Sequence, residues 1–338
     1  MTGLTDTFNR PINYLRISVT DRCNLRCSYC MPAQGIELLN HHDILTYEEI
    51  VTVTRTAAEM GITKVRLTGG EPLVRANLTN LVSMIATIDT IDDISMTTNG
   101  VLLEKYASDL KKAGLKRVNV SLDTMNPHKF QSITRRSRLG DVLRGIKTAK
   151  ECGLDPVKIN VVVMRGVNDD EILDFARLTI TDGWHVRFIE LMPFATGNPH
   201  EVHASHSQAN MHPQFMPATE IMERLYELDK LEPSDTIKGN GPARYYFFPN
   251  ANGTIGFITP ISEHLCFQCN RLRLTAEGKL RPCLLSDDEI DLRPALRQKA
   301  SPEQLQSLIM KAIQNKPRNH QLAGESLVIK RRMSQVGG

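Results

Sequence analysis

Strand-like and helix-like stretches alternate through residues 14–191, and this rhythm restricts the chain to a small set of folds. Apolar, β-branched runs fall at Tyr14–Val19, Lys64–Leu67, Ile94–Thr97, Arg117–Leu122, Lys158–Met164 and Val186–Leu191. Segments with helical spacing lie between them, near Tyr47–Met60, Leu78–Ile88, Leu102–Ala113, Asp141–Cys152 and Glu171–Thr181. Gly61, Gly114 and Gly153 follow three of these, where a left-handed C-terminal cap favours glycine. The pattern predicts βαβ units around a parallel sheet. Each expected strand ends in a short polar signature: Thr20-Asp21-Arg22-Cys23, Thr68-Gly69-Gly70-Glu71-Pro72, Thr97-Thr98-Asn99-Gly100, Ser121-Leu122-Asp123 and Met192-Pro193. Polar chemistry at the C-terminal ends of successive parallel strands is barrel behaviour, whereas an open sheet gathers it at one switch point. The expectation is an α/β fold, a partial (β/α)6 TIM-like barrel.

Composition narrows the setting. Of 338 residues, 41% are hydrophobic, enough for a large core. Lys and Arg number 41 against 38 Asp and Glu, a net +3 that is too mild for a general nucleic-acid surface but allows a local basic pocket. No apolar run reaches the roughly 18 to 20 residues of a membrane span. The opening residues, Met1 to Pro11, carry neither a secretory apolar core nor a transit pattern. A cytoplasmic protein with no membrane or nucleic-acid partner is expected. After Leu191 the apolar period stops. The stretch from Phe194 to Phe215, with His200, His203, His206 and His212, reads as a long solvated loop. A helix near Thr219–Leu228, a hairpin of Arg244–Phe248 with Thr254–Ile258, and a helix near Pro302–Gln314 follow.

The seven cysteines form two triads, Cys23, Cys27, Cys30 and Cys266, Cys269, Cys283, plus a lone Cys152 that reads as a small core residue. Tight groups of odd number are metal or redox ligands rather than a disulfide framework. The first triad, C-x3-C-x2-C, directly follows the first expected strand. A [4Fe–4S] cube normally takes four thiolates. Three leave one iron open to a small molecule offering nitrogen and oxygen, as the amino and carboxylate groups of S-adenosylmethionine do. Zinc with His41 or His42 as fourth ligand is the alternative. The second triad, C-x2-C-x13-C, again offers three thiolates, with a zinc ribbon completed by His264 as its alternative. Arg271 and Arg273 alternate along an expected strand, placing both guanidiniums on one face beside it. Gly69 and Gly70 would let backbone approach a ligand closely.

These motifs resemble the radical S-adenosylmethionine superfamily over nearly the whole chain, through Leu15–Cys27, Arg66–Pro72, Thr97–Gly100, Arg187–Pro193, Cys269–Thr275 and Gly337-Gly338. The second triad, the Arg-x-Arg after it and the Gly-Gly end resemble the branch that cyclises GTP in the first step of molybdenum cofactor synthesis. The resemblance implies two [4Fe–4S] clusters, one on each triad, the second contacting guanine through its open iron. It implies S-adenosylmethionine at Tyr29, Gly70, Ser121 and Met192, and GTP at Arg16, Arg66, Thr97, Lys158, Arg271, Leu272 and Arg273. Arg271, Arg273, Gly337 and Gly338 would serve catalysis. Residues 1–193 would form the barrel, and residues 194–338 a linker loop, hairpin, auxiliary cluster and Gly-Gly tail, an iron–sulfur extension closing the barrel. An electron donor and a downstream pterin-forming enzyme are implied as partners, and a homodimer is admitted. Two other classes stay open. A peptide-modifying radical enzyme tends to carry more C-terminal cysteines. A non-catalytic iron–sulfur electron carrier would not need the strand-end glycines or an inward set of arginines.

Overall fold

The computed structural model describes residues 3–194, 213–235, 241–263, 265–320 and 331–337. Six strands, β1 (Tyr14–Ser18), β2 (Lys64–Thr68), β3 (Asp93–Thr98), β4 (Arg117–Ser121), β5 (Val157–Val163) and β6 (His185–Glu190), pair in parallel in chain order. Helices α1 (Tyr47–Met60), α2 (Leu78–Ala86), α3 (Leu103–Lys112), α4 (Pro127–Thr134), α5 (Leu139–Glu151) and α6 (Ile172–Thr181) connect them. Along β1, Leu15 and Ile17 join the core shared with Ile50, Val53 and Ala57 of α1. Arg16, between them, lines an internal cavity, as the two-residue period of a strand requires. A capping box of Thr46 and Glu49 starts α1, and Gly61, at φ 119°, ends it in the left-handed region.

Every expected element of this half is present, α1 with the expected ends and the others with ends shifted by one or two residues, and one is added. The spacing did not predict α4, because eight residues with three buried positions carry little periodic signal. Its cue is local: Asn126 accepts from the backbone N–H groups of His128 and Lys129, and Pro127 opens the helix. Cys152 ends α5 and packs, partly buried, against the core.

The rest of the chain comprises α7 (Ala218–Leu225), β7 (Glu232–Pro233), β8 (Arg244–Phe247), β9 (Thr254–Ile258), β10 (Arg271–Leu274), β11 (Lys279–Arg281), β12 (Ile290–Asp291), α8 (Arg293–Arg297), α9 (Pro302–Gln314) and α10 (Met333–Val336). The expected hairpin is β8–β9, with Arg244 opposite Phe257. These strands continue the barrel sheet at both edges: β9 adds in parallel to β6, and β10 adds in parallel to β1. The order is β12-β11-β10-β1-β2-β3-β4-β5-β6-β9-β8-β7. This refines the expectation of closure. Among the described residues no ladder joins the two edges, and the extension walls the cavity with side chains and the tail. His200, His203, His206, His212, His264 and Gly338 lie outside the described residues. No helix among the described residues is long and apolar enough to cross a membrane.

Candidate active site

One cavity of about 320 Å³ is lined by residues at the C-terminal ends of the barrel strands, within the range of small-molecule sites. All six clustered cysteines line it, so the fold joins two triads that the sequence keeps far apart.

The loop of the first triad is fastened from two sides. The end of α4 supplies carbonyls: Arg26 N donates to Thr134 O at 3.0 Å and Ser28 N to Ile133 O at 2.9 Å. Arg135 Nη1 donates to Arg26 O at 2.6 Å and to Met31 O at 3.1 Å. From the end of β2, Gly70 N donates to Thr20 O and Glu71 N to Arg22 O, both at 2.8 Å. A Cβ on Gly70 would stand 2.4 Å from Arg22 O, and one on Gly69, at φ +145°, 2.5 Å from Thr20 O. The glycines were expected to admit a ligand; the close approach they make is to the cysteine loop. Buried Glu71 accepts from Thr98 Oγ1 at 2.7 Å and Asn99 N at 2.6 Å. Burial lifts its carboxyl to about 7 against these hydrogen bonds. Asn99, so held, donates Nδ2 to Cys23 Sγ at 3.8 Å and to Asn24 Oδ1 at 2.7 Å.

Burial pushes the thiol of Cys23 up to about 11, that of Cys30 up to about 12, and that of Cys27 well up. Thiolates persist in such a place only when a cationic centre binds them. His41 and His42 are exposed on a short turn, off the cavity wall, so zinc lacks its expected fourth ligand there. Among the described residues no three His, Cys, Asp or Glu side chains converge as ligands of a single ion would. Three thiolates lining one cavity suit an iron–sulfur cube with one iron left open to a ligand.

The second triad is electrically different. Burial works to raise the Cys269 thiol, but the Arg271 and Lys316 cations bring it down to about 6. Arg273, Arg16 and Arg66 are register partners across β10, β1 and β2, so their side chains stand in one row on the inner face. Arg187 on β6 joins them on the wall, opposite Asn160 of β5. Burial, with Arg271 adding its charge, lowers Arg273 to about 9. None of Arg66, Arg187, Arg271 and Arg273 pairs with a carboxylate among the described residues. Buried guanidiniums without counter-ions cost stability, and a phosphate chain supplies the missing charge with matching geometry. Arg187 Nε, Asn119 Oδ1 and Asn160 Oδ1 are buried and unbonded among the described residues, on the wall of the same cavity. They fit a ligand rich in donors and acceptors.

Tyr29, Gly70, Ser121 and Met192 all line this cavity. Tyr29 donates its hydroxyl to Asp123 Oδ2 at 2.8 Å, and Asp123 Oδ1 accepts from Val162 N at 2.8 Å. Thr97 Oγ1 accepts from Arg66 Nη1 at 3.4 Å, whereas the Thr98 hydroxyl is committed to Glu71. Two expected residues stand off the wall. Leu272, between the arginines of β10, belongs to the apolar core because alternation turns it away. Lys158 is buried with its Nζ on Tyr245 Oη at 3.1 Å. Burial, then the Arg187, Arg117 and Arg66 charges, lowers it to about 6. Arg187, Asn119, Asn160 and Asp123 were missed as site residues. Strand parity could have found the first three, since each shares a register row with an inward neighbour.

The chain end enters the same space. Gly337 O accepts from Arg16 Nη2 at 2.9 Å and from Arg273 Nη1 at 3.2 Å. Val336 packs with Phe194 and Leu285. Arg331 anchors the segment to Glu277 at 2.5 Å and Glu289 at 2.9 Å.

A family profile for the Radical SAM superfamily matches residues 17–179, and one for Molybdenum Cofactor Synthesis C matches residues 184–322. The chain is 53% identical to the GTP 3′,8-cyclase of Desulforamulus reducens and 50% identical to that of Moorella thermoacetica, over 99% of this chain and 100% of each relative. Among solved structures, Streptococcus suis SuiB bound to S-adenosylmethionine superposes with TM-score 0.60 at 17% identity, covering 88% of this chain and 68% of SuiB. Native anSMEcpe with bound AdoMet gives 0.58 at 15% identity, covering 92% and 82%. These two share the fold. Near-half identity over full length carries more: the chain belongs to the GTP 3′,8-cyclase family of the radical S-adenosylmethionine superfamily.

Proposed function

We propose that the chain converts GTP to (8S)-3′,8-cyclo-7,8-dihydroguanosine 5′-triphosphate, the first step of molybdenum cofactor synthesis. One observation carries the reading: two thiolate triads and four arginines that have no carboxylate partner among the described residues line a single cavity. The net change breaks the C3′–H bond of GTP, forms a C3′–C8 bond, and releases the hydrogen in 5′-deoxyadenosine; a second electron from the external donor and a proton at N7 close the shell of the dihydroguanine. A cluster held by Cys23, Cys27 and Cys30 supplies one-electron reduction of the S-adenosylmethionine sulfonium, the source of the 5′-deoxyadenosyl radical.

The protein's own part is binding and orientation. Tyr29, Gly70, Ser121 and Met192 contact S-adenosylmethionine, and Asp123 fixes the Tyr29 ring. Arg16, Arg66 and Arg273, in one register row, with Arg271, Arg187 and Thr97, hold the triphosphate and ribose, while Lys158 stands off the wall on Tyr245. Leu272, turned into the core, is left with its backbone for any contact. Cys266, Cys269 and Cys283 hold the auxiliary cluster toward guanine. Gly337 and Gly338 complete the pocket, since the guanidiniums of Arg16 and Arg273 have donors for both the tail carbonyl and phosphate. In this reading residues 1–193 form the barrel with the first cluster, the S-adenosylmethionine site and part of the GTP wall, and residues 194–338 add the auxiliary cluster, Arg271, Arg273 and the tail. The setting is the reducing cytoplasm, with an electron donor before the reaction and a pterin-forming enzyme after it.

Anaerobically reconstituted protein given S-adenosylmethionine and dithionite is expected to form 5′-deoxyadenosine in step with a new isomer of GTP. Cleavage that responds to a peptide and leaves GTP untouched would overturn the reading.

Lys158 yields a second test. Its folded amine is neutral above about pH 6, while the unfolded one stays charged to about 10.4, so this group makes stability rise with pH across that window. Lys158→Met should raise the melting temperature at pH 7 and weaken GTP binding by less than about tenfold, since the amine is neutral there and stands off the cavity wall. Calorimetry reads both quantities. A lower melting temperature with unchanged GTP affinity would make Lys158 a structural anchor.

A further inference from the structure

We infer that Lys316 is the positioning residue of the second cluster: it ties together the segments carrying Cys269 and Cys283 and holds a fixed positive charge against the Cys269 sulfur. The inference rests on the reading of that triad as a cluster site. Lys316 follows α9 and is 3% exposed. Its Nζ donates to Arg271 O at 2.8 Å and to Pro282 O at 2.7 Å. The first carbonyl lies two residues beyond Cys269 and the second belongs to the residue before Cys283. Two of the three ammonium donors are thus spent on the carbonyls that flank the triad, and the charge they hold in place acts on the Cys269 sulfur.

The same short segment reaches the remaining cysteine, since His320 N donates to Cys266 Sγ at 3.4 Å. Arg10 braces it from behind, with Nη2 on Pro317 O at 2.7 Å and Nη1 on Arg318 O at 3.0 Å and on Cys266 O at 2.7 Å. Arg10 is itself fixed by Asp6 at 2.6 Å. Residues 316–320 therefore meet all three ligand-bearing segments.

A simpler account makes Lys316 a filler that satisfies two carbonyls. A neutral donor would do that without the cost of burying a charge. No carboxylate pairs with Lys316 among the described residues. The group left to balance the ammonium is a cysteine thiolate, which an iron–sulfur cluster maintains. A fixed cation beside a ligating sulfur favours the more reduced, more negative cluster, so it raises the reduction potential.

The test compares full-length Lys316→Gln and Lys316→Arg after anaerobic reconstitution, each also combined with Cys23→Ala, Cys27→Ala and Cys30→Ala to isolate the second cluster. Iron is counted and the midpoint read by electron paramagnetic resonance. Lys316→Gln should cut the equilibrium constant for reduction about tenfold, a fall of about 59 mV for one electron. Lys316→Arg should stay near the wild type. Loss of iron from the second site in Lys316→Gln alone would equally support the tie. An unchanged midpoint and iron count in Lys316→Gln, or equal shifts in both variants, would overturn the inference. So would Lys316→Gln protein that loses both clusters through unfolding, because the role would then be structural. A wild-type chain holding no iron at Cys266, Cys269 and Cys283 would instead overturn the cluster reading beneath it.

Discussion

Alanine at any one of Cys23, Cys27 or Cys30 is expected to abolish S-adenosylmethionine cleavage while leaving the iron of the second triad in place. A cube on three thiolates has no spare protein ligand, and the nearest carboxylates are committed elsewhere, Glu71 to Thr98 and Asn99, and Asp123 to Tyr29 and Val162. Independence follows from construction. The first loop hangs on the carbonyl end of α4 and the glycine turn after β2. The second triad lies on the 3-10 turn before β10 and just after β11, braced by Lys316 and Arg10. Iron and sulfide per chain should fall from about eight to about four, with 5′-deoxyadenosine below detection. Folded variants that lose all iron would contradict independence. Zinc at the second triad would contradict the two-cluster account.

Arg273→Ala and Gly337→Ala are expected to suppress formation of the cyclised nucleotide far more than they affect folding or S-adenosylmethionine binding. Arg273 is buried and pairs with no carboxylate among the described residues, so its removal relieves a desolvation cost while deleting a phosphate contact. Losing one charge-assisted contact weakens GTP use by about ten- to hundredfold. At Gly337 the backbone is left-handed, at φ +71°, and a Cβ would lie 2.3 Å from Thr68 Oγ1. Alanine there costs about 1–2 kcal/mol in conformation before the collision is counted. Product formation should therefore drop more than tenfold. Thr68→Ala in the same chain should return part of it by removing the colliding oxygen. If deleting Gly337 and Gly338 leaves product formation unchanged, the tail is frayed and has no part in the site.

Much of this architecture can be read from the residues, and the exceptions have physical causes. Leu15, Ile17, Leu67 and Met96 recur at strand period beside long amphipathic helices, so the parallel sheet is visible. The edges are not: Tyr14 pairs with Arg271, and His185 with Thr254, through contacts that no local pattern encodes. The cysteine triads announce themselves by spacing, but the α4 carbonyls that hold one of them do not. Arg187 and Lys316 look like ordinary solvated charges until burial is known, because a sequence gives no measure of depth. Alternation on β10 already assigns Arg271 and Arg273 to one face and Leu272 to the other. Lys158 illustrates the reverse limit: resemblance nominates it, and the structure sets it behind Arg66 and Arg187 with its amine on Tyr245.

The most direct test of the central claim follows one hydrogen. Reconstituted protein is incubated with S-adenosylmethionine, dithionite and GTP deuterated at C3′, and the 5′-deoxyadenosine is analysed by mass. The account predicts one deuterium in each 5′-deoxyadenosine, formed in equal amount to a GTP isomer that has lost it. Unlabelled 5′-deoxyadenosine accompanied by intact, fully deuterated GTP would contradict the account.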